Sequence, residues 1–244
     1  MNKLTWITNI LACLMIVLAA LGSLCGALTQ MAFDPQFYDG MSRQAVAQTL
    51  GAEDAEAQVT AYIGLTDEEQ GAFAQEMVSF LKGKTPLQPD VLNEKEQQHM
   101  LDVRALVLLA QRASQMFMTL AAGLAVVIAW TGARNKRKGM PLGMLIGLGV
   151  IALGVFGAYA LLNTQGFEAL FIRFHEIFFT NDLWLMNPET DILIRMMPQR
   201  LFERAGMELV RLALMSFAVT NILLILVYTL VGGMIRRQMT QKNG

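Results

Sequence analysis

Two histidines are all the imidazole this 244-residue chain holds, and each sits among residues that tune it. The first lies in Glu94-Lys95-Glu96-Gln97-Gln98-His99-Met100-Leu101-Asp102-Val103-Arg104. Glu96, His99 and Asp102 follow one another at three-residue steps, so neighbours share a helix face. A carboxylate beside an imidazole fixes its tautomer and raises its basicity, which a general base needs near neutral pH. The same string also reads as the solvated start of an ordinary helix. The second histidine lies in Phe171-Ile172-Arg173-Phe174-His175-Glu176-Ile177-Phe178-Phe179. On a helix, Phe171, His175 and Phe178/Phe179 share one face, while Arg173 and Glu176 point elsewhere. An imidazole in a phenylalanine setting is poorly hydrated, which favours its neutral, proton-accepting form. The competing reading is an amphipathic interfacial helix whose histidine merely tolerates the boundary.

The stretch from Phe167 to Phe202 is too polar to span a bilayer and unusually aromatic for a loop. Thr180-Asn181-Asp182-Leu183-Trp184 reads as a turn followed by an interfacial tryptophan. Asn187-Pro188-Glu189-Thr190-Asp191 reads as a second turn or helix start, and residues 191–197 as a short amphipathic segment ended by Pro198. Arg195 and Arg200 are candidates for holding ester or phosphate oxygens. Other chemistries lack their residues. Neither a GxSxG elbow, a GxxxxGK[ST] loop nor an HExxH helix occurs. The two cysteines, Cys13 and Cys25, are roughly 18 Å apart on one helix and cannot bridge. No CxxC or Cys/His cluster offers a metal site, so no metal or other cofactor is expected.

The elements that must position these residues are membrane helices. The chain is 54% hydrophobic and 16% charged, where a soluble domain carries about 25% charged residues. The deficit comes from four apolar runs, at about residues 5–31, 105–131, 141–162 and 209–233. An all-α, polytopic membrane protein follows, with residues 1–244 as one membrane domain. The first run is longer than the apolar core of a signal peptide, so it is expected to stay as a span.

Between the first two spans lies an acidic segment, residues 34–104, read as a small helical cap too poor in apolar residues to bury a core alone. Residues 42–50 read as a short helix. Thr66-Asp67-Glu68-Glu69 is a capping box. It opens an amphipathic helix with Phe73, Met77, Phe80 and Leu81 at helical spacing, ending near Lys82-Gly83. Pro86 and Pro89 mark a loop, and Asn93 with Glu96 forms a second capping box. The helix it starts carries His99, Asp102 and Arg104 before becoming the second span, with Arg112 a turn or two inside. The third span is glycine-rich. Its Gly143-x-x-x-Gly147 is either a packing motif or a chance match. Residues 164–207 form the interfacial segment.

Charge sets the expected orientation. Arg134-Asn135-Lys136-Arg137-Lys138 places four cations in five residues, and Arg236, Arg237 and Lys242 mark the tail. The positive-inside rule puts both, with Lys3, in the cytoplasm, so both termini are cytoplasmic. The acidic cap and the interfacial segment then share the outer face. An acidic outer face excludes nucleic acid as a partner.

Asn-Glu-Lys-Glu-x-x-His-Met-x-Asp-Val-Arg at 93–104 and Phe-His-x-x-Phe-Phe-x-Asn-Asp-x-Trp-x-x-x-Pro-Glu-Thr-Asp-x-Leu-Ile-Arg-Met-x-Pro at 174–198 together resemble the lipoprotein intramolecular transacylase (Lit) family. Phe37-Tyr38 and Phe80-Leu81-Lys82-Gly83 share the resemblance. It covers nearly the whole chain and is loosest at residues 40–75. Gln199 stands where the family pattern suggests an acid. The resemblance implies an acyltransferase of the bacterial cytoplasmic membrane, working on its outer face without a cofactor. The implied substrate is a lipoprotein whose N-terminal cysteine carries a diacylglyceryl group. One acyl chain moves from the glyceryl sn-2 ester to the cysteine α-amino group, giving the lyso form. The family's two essential histidines fall on His99 and His175, and Glu96, Asp102, Arg104, Asn181, Asp182, Trp184 and Arg195 lie in the same motifs as supporting or substrate-binding candidates. Donor and acceptor already share one molecule, so proximity supplies much of the rate and no enzyme nucleophile is required. His175 is expected as the base on the amine. His99, paired with Asp102 or Glu96, is expected to polarise the carbonyl or protonate the leaving oxygen, and the reverse assignment stays open. The two imidazoles are then expected within about 10 Å of each other around one outward cleft. The alternative class is a non-catalytic membrane protein that binds lipid or assists assembly.

Overall fold

A computed structural model of the chain describes residues 3–51, 56–87, 91–135 and 141–242. Pro89 of the expected loop and Lys136, Arg137 and Lys138 of the basic run lie outside the described residues. The described residues contain helices and no strand: α1 (Lys3–Ala32), α2 (Pro35–Tyr38), α3 (Gly40–Leu50), α4 (Glu56–Ile63), α5 (Asp67–Leu81), α6 (Glu94–Arg134), α7 (Leu142–Phe178), α8 (Ile192–Met196) and α9 (Gln199–Lys242). Four are long and apolar enough to cross a membrane, namely α1, α6, the Leu142–Leu161 part of α7, and α9. The chain is therefore an all-α protein with four candidate spans.

Helix ends differ from the hydropathy limits in two places. α9 begins at Gln199, directly after Pro198, and includes residues expected to be interfacial. Hydropathy marks where a helix becomes apolar, whereas proline marks where it starts. α7 continues past the third span to Phe178, but Gly166 breaks it with φ 79° and ψ 165°. That backbone region is open almost only to glycine.

Contacts divide the chain into two compact units, with α1, α6, α7 and α9 each contributing to both. One unit comprises residues 1–27, 112–161 and 211–244. Its core is built from small side chains and a few larger ones, including Ala12, Ile16 and Ala19 of α1 with Ala121, Ala125 and Ile128 of α6. Small residues let helix backbones approach closely where lipid offers no hydrophobic drive for helix association. Gly143 of α7 lies so near α1 that an added Cβ meets the Asn9 carbonyl oxygen at 1.8 Å. At Gly147 it meets the Ile16 Cβ at 2.7 Å. The Gly143-x-x-x-Gly147 pair is thus a real helix contact. A second pair, Gly22 and Gly26 of α1, faces Met118 and Ser114 of α6, where Ser114 donates to the Gly22 carbonyl at 2.8 Å.

The other unit comprises residues 28–111 and 162–210. The acidic segment does bury a core, because the second segment completes it. Phe37, Val46, Ile63, Phe73, Met77, Phe80 and Leu81 pack with Leu193, Met196 and Leu201. Buried Gln70 on α5 donates to the Tyr38 carbonyl at 2.9 Å and the Ser42 hydroxyl at 3.1 Å. Ser42 in turn donates to the Met196 carbonyl. Both capping boxes are present. Thr66 and Glu69 exchange hydrogen bonds at the start of α5. Asn93 and Glu96 do so at the start of α6, at 2.8 and 3.0 Å.

Candidate active site

The Asn93–Glu96 box sets where α6 begins, and that fixes the face on which the next side chains project. Lys95, His99 and Asp102 follow at i, i+4 and i+7, one continuous face of the helix. The second histidine comes from beyond the Gly166 break, in the last turn of α7. Phe171, His175 and Phe179 turn inward from that segment, whereas Phe178 is 53% exposed. The face of four-residue steps, not the one through Phe178, is the buried one.

His99 and His175 come together. Their ring centroids are 6.2 Å apart with planes inclined by 30°, and both side chains are buried. Phe179 packs against both, 5.2 Å from His99 and 5.4 Å from His175. Phe171 packs 4.2 Å and Phe174 5.4 Å from His175. Trp184 packs against His175, with centroids 4.9 Å apart and planes tilted by 30°. The tryptophan read as a membrane-belt residue thus touches the imidazole.

The protonation of the pair follows from these walls. Burial lowers the His99 pKa to about 4, and the nearby His175 and Lys95 add to this against the pull of Asp102. Burial also lowers His175, partly offset by a hydrogen bond to the Phe171 carbonyl. Both rings are neutral at neutral pH. The 2.8 Å contact of His175 Nδ1 with the Phe171 carbonyl also fixes a tautomer. A carbonyl oxygen only accepts, so Nδ1 carries the proton and Nε2 keeps its lone pair. His99 Nδ1 is buried and makes no hydrogen bond among the described residues.

The carboxylates expected beside His99 are engaged elsewhere. Glu96 accepts from the Asn93 and Leu193 backbone N–H groups, the latter at 2.6 Å, tying the start of α6 to the start of α8. Burial holds its pKa above the usual range against those donors. Asp102 accepts from Asn181 Nδ2 at 2.9 Å. No hydrogen bond joins either carboxylate to His99 among the described residues. Arg104 lies over the Phe80 ring at 5.1 Å, beside Gly83. Arg195 donates to the Tyr62 carbonyl at 3.3 Å. Asp182 and Arg200 are exposed, as is Arg112.

Other residues gain importance that their sequence context did not announce. Lys95 donates to the Leu185 carbonyl and pairs with Asp191 at 3.5 Å. Asp191 is buried and accepts from Asn93 and Thr190, both at 2.9 Å, and from the Asn187 N–H at 2.8 Å. Burial opposes its ionisation, but these donors and Lys95 hold its pKa below the usual value. The capping box at Asn93 was the signal that a buried polar junction starts there. No group of three or more metal-ligating side chains converges among the described residues. Two neutral imidazoles in an aromatic enclosure, one with a fixed proton-accepting nitrogen, suit proton transfer between reacting groups that stay out of water.

A family profile described as "Lipoprotein intramolecular transacylase Lit" matches residues 13–202. Comparison with curated protein sequences finds no match. Among solved structures, the chain is similar to the membrane-integral lipoprotein intramolecular transacylase Lit from Bacillus cereus. It is 17% identical, with a TM-score of 0.66, over 91% of this chain and 96% of that one. A form of that protein with a histidine-to-arginine substitution is 15% identical, with a TM-score of 0.61, over 97% and 94% of the two chains.

Proposed function

The chain belongs to the lipoprotein intramolecular transacylase (Lit) family, acyltransferases that generate lyso-form lipoproteins, and we propose that His99 and His175 carry that chemistry. The observation that supports this assignment is the pair of neutral imidazoles 6.2 Å apart with His175 Nε2 left as the acceptor. The proposed substrate is a lipoprotein with a diacylglyceryl group on its N-terminal cysteine. The free α-amine attacks the carbonyl carbon of the sn-2 ester. As the C–N bond forms, His175 Nε2 takes the proton that the amine sheds. His99, kept neutral by burial, acts as a hydrogen-bond donor to the carbonyl oxygen, on which negative charge develops. The ester C–O bond then breaks, and the proton held on His175 passes to the glyceryl oxygen. Atoms and charge balance without an enzyme nucleophile, and His175 returns to its starting tautomer.

The remaining residues of the two motifs have supporting parts in this reading. Trp184 and the phenylalanines exclude water, Glu96 holds α6 to α8, and Arg104 and Arg195 brace the surrounding fold. Asp182, exposed beside Trp184, faces the approaching substrate. The membrane is the bacterial cytoplasmic membrane, crossed four times with both termini in the cytoplasm and the histidines on the outer face. The distribution of basic residues supports that orientation.

The test is transacylation of purified diacylated lipoprotein in lipid bilayers, read by mass spectrometry of the N-terminal peptide. Transfer moves an acyl group onto the α-amine at unchanged total mass. His175→Ala and His99→Ala are each expected to lose about 10²- to 10⁴-fold in rate. Full activity in His175→Ala overturns the scheme.

A further inference from the structure

The turn that carries Trp184 is tied to α6 at both ends, and both ties come from the helix face that bears His99. At one end Asn181 Nδ2 donates to Asp102 Oδ2 at 2.9 Å. At the other the Leu185 carbonyl accepts from Lys95. Between the ties the turn is held locally. Asn181 Oδ1 accepts the Leu183 N–H at 3.1 Å, and the Asp182 carbonyl accepts the Leu185 N–H at 3.1 Å. Asn181 therefore uses its oxygen to shape the turn and its amide N–H to dock it. Trp184 sits inside this clamp with its indole 4.9 Å from His175. Asp102, whose spacing suggested an orienter for His99, makes its hydrogen bond to Asn181 instead.

We propose that Asp102 is a positioning residue that acts through Asn181 to keep Trp184 packed against His175. The proposal rests on the reading above that His175 is the base. A base must keep its ring aimed at the reacting amine, and a displacement of about 1 Å costs on the order of a hundredfold. Among the described residues His175 has one hydrogen bond to fix it, from Nδ1 to Phe171, which leaves rotation about that bond to be limited by packing. The Trp184 indole, 4.9 Å from the ring, limits that rotation. The clamp thus links a half-buried carboxylate on α6 to the aim of an imidazole on α7.

The chain's three tryptophans, Trp6, Trp130 and Trp184, make the stack measurable without activity. In a Trp6→Phe/Trp130→Phe background, Trp184 is the sole emitter. A protonated imidazole in contact quenches indole fluorescence, so acidification should quench Trp184, and His175→Ala should abolish that quench. Asn181→Asp keeps the oxygen that accepts Leu183 but replaces the docking donor with a carboxylate facing Asp102. It should lose the quench and about 10- to 100-fold of the turnover rate. Asp102→Asn keeps an acceptor for Asn181 and should keep the quench. The exchanged pair D102N/N181D restores a donor and an acceptor in reversed order, and should recover both quench and rate. A quench unchanged in Asn181→Asp overturns the proposal. So does Asp102→Asn behaving like Asn181→Asp, or a folded exchanged pair that recovers neither, since each makes the charge of Asp102 the active quantity. Loss of the quench with full turnover leaves the clamp standing and overturns the assignment of His175 instead.

Discussion

His99 is the residue whose environment has the clearest consequence in solution. It is 6% exposed, its Nδ1 has no hydrogen-bond partner among the described residues, and burial lowers its pKa to about 4. In the unfolded chain a histidine titrates near its ordinary value of about 6.5. Above that value both states are neutral and His99 contributes no pH dependence. Between about 6.5 and 4 the unfolded state binds a proton that the folded state does not, so stability falls as pH falls. His99→Gln removes that dependence and is expected to flatten the decline of Tm across this window relative to the wild type. Thermal unfolding in detergent from about pH 7 to about pH 4.5 checks it, and parallel curves for the two proteins refute it. At this scale the sequence was informative about identity and less so about partnership. Two histidines in long motifs single themselves out. The acceptor for Asn181 did not, because helical spacing brings Asp102 to the face of His99 without saying which distant side chain arrives there. Asn181 is 79 residues away in the chain.

Among the elements, α1 and α7 pack closely at Gly143. Replacing Gly143 with alanine sets a methyl 1.8 Å from the Asn9 carbonyl oxygen, and backbone must move to relieve it. Gly143→Ala is expected to cost about 1–3 kcal/mol, as overpacking does. Gly149 is the control on the same helix, since a Cβ added there has nothing within 4 Å. Gly149→Ala should leave Tm unchanged or raised. Equal losses from the two substitutions mean that the α1–α7 contact does not limit stability. The elements themselves were largely readable. Capping boxes and apolar periodicity are local, so α5 and the start of α6 follow from a few residues each. The packing role of Gly143 was undecided, since glycine spacing is the same whether or not a neighbour approaches. The core shared by the acidic segment and α8 was also hidden. It joins residues such as Phe80 and Leu193, and no local pattern records which distant face completes another.

For the molecule as a whole, the proposed topology rests on charge. The acidic α5 with Asp67, Glu68 and Glu69 is assigned to the outer side, and the basic tail with Arg236 and Arg237 to the cytoplasm. In a Cys13→Ala/Cys25→Ala background, Glu68→Cys is expected to react with a membrane-impermeant maleimide on intact spheroplasts. Gln241→Cys is expected to react only after permeabilisation. The opposite pattern inverts the topology and moves the histidines to the cytoplasmic side. The number of spans was legible because lipid imposes a length and an apolarity on every crossing. Between the spans the break at Pro198 was legible, whereas the one at Gly166 was not, because hydropathy does not show which glycine redirects a helix.

The aromatic enclosure of His175 has a further consequence, for fidelity. In the proposed scheme, the ester carbonyl activated by two imidazoles is open to attack by water as well as by the amine, with release of a free fatty acid. Phe171, Phe174, Phe179 and Trp184 leave the base little access to solvent. The amine, already tethered to the ester, becomes the nucleophile that reaches it. In the proposed scheme the walls set the partition between acyl transfer and hydrolysis, a ratio that no list of proton-transfer residues records.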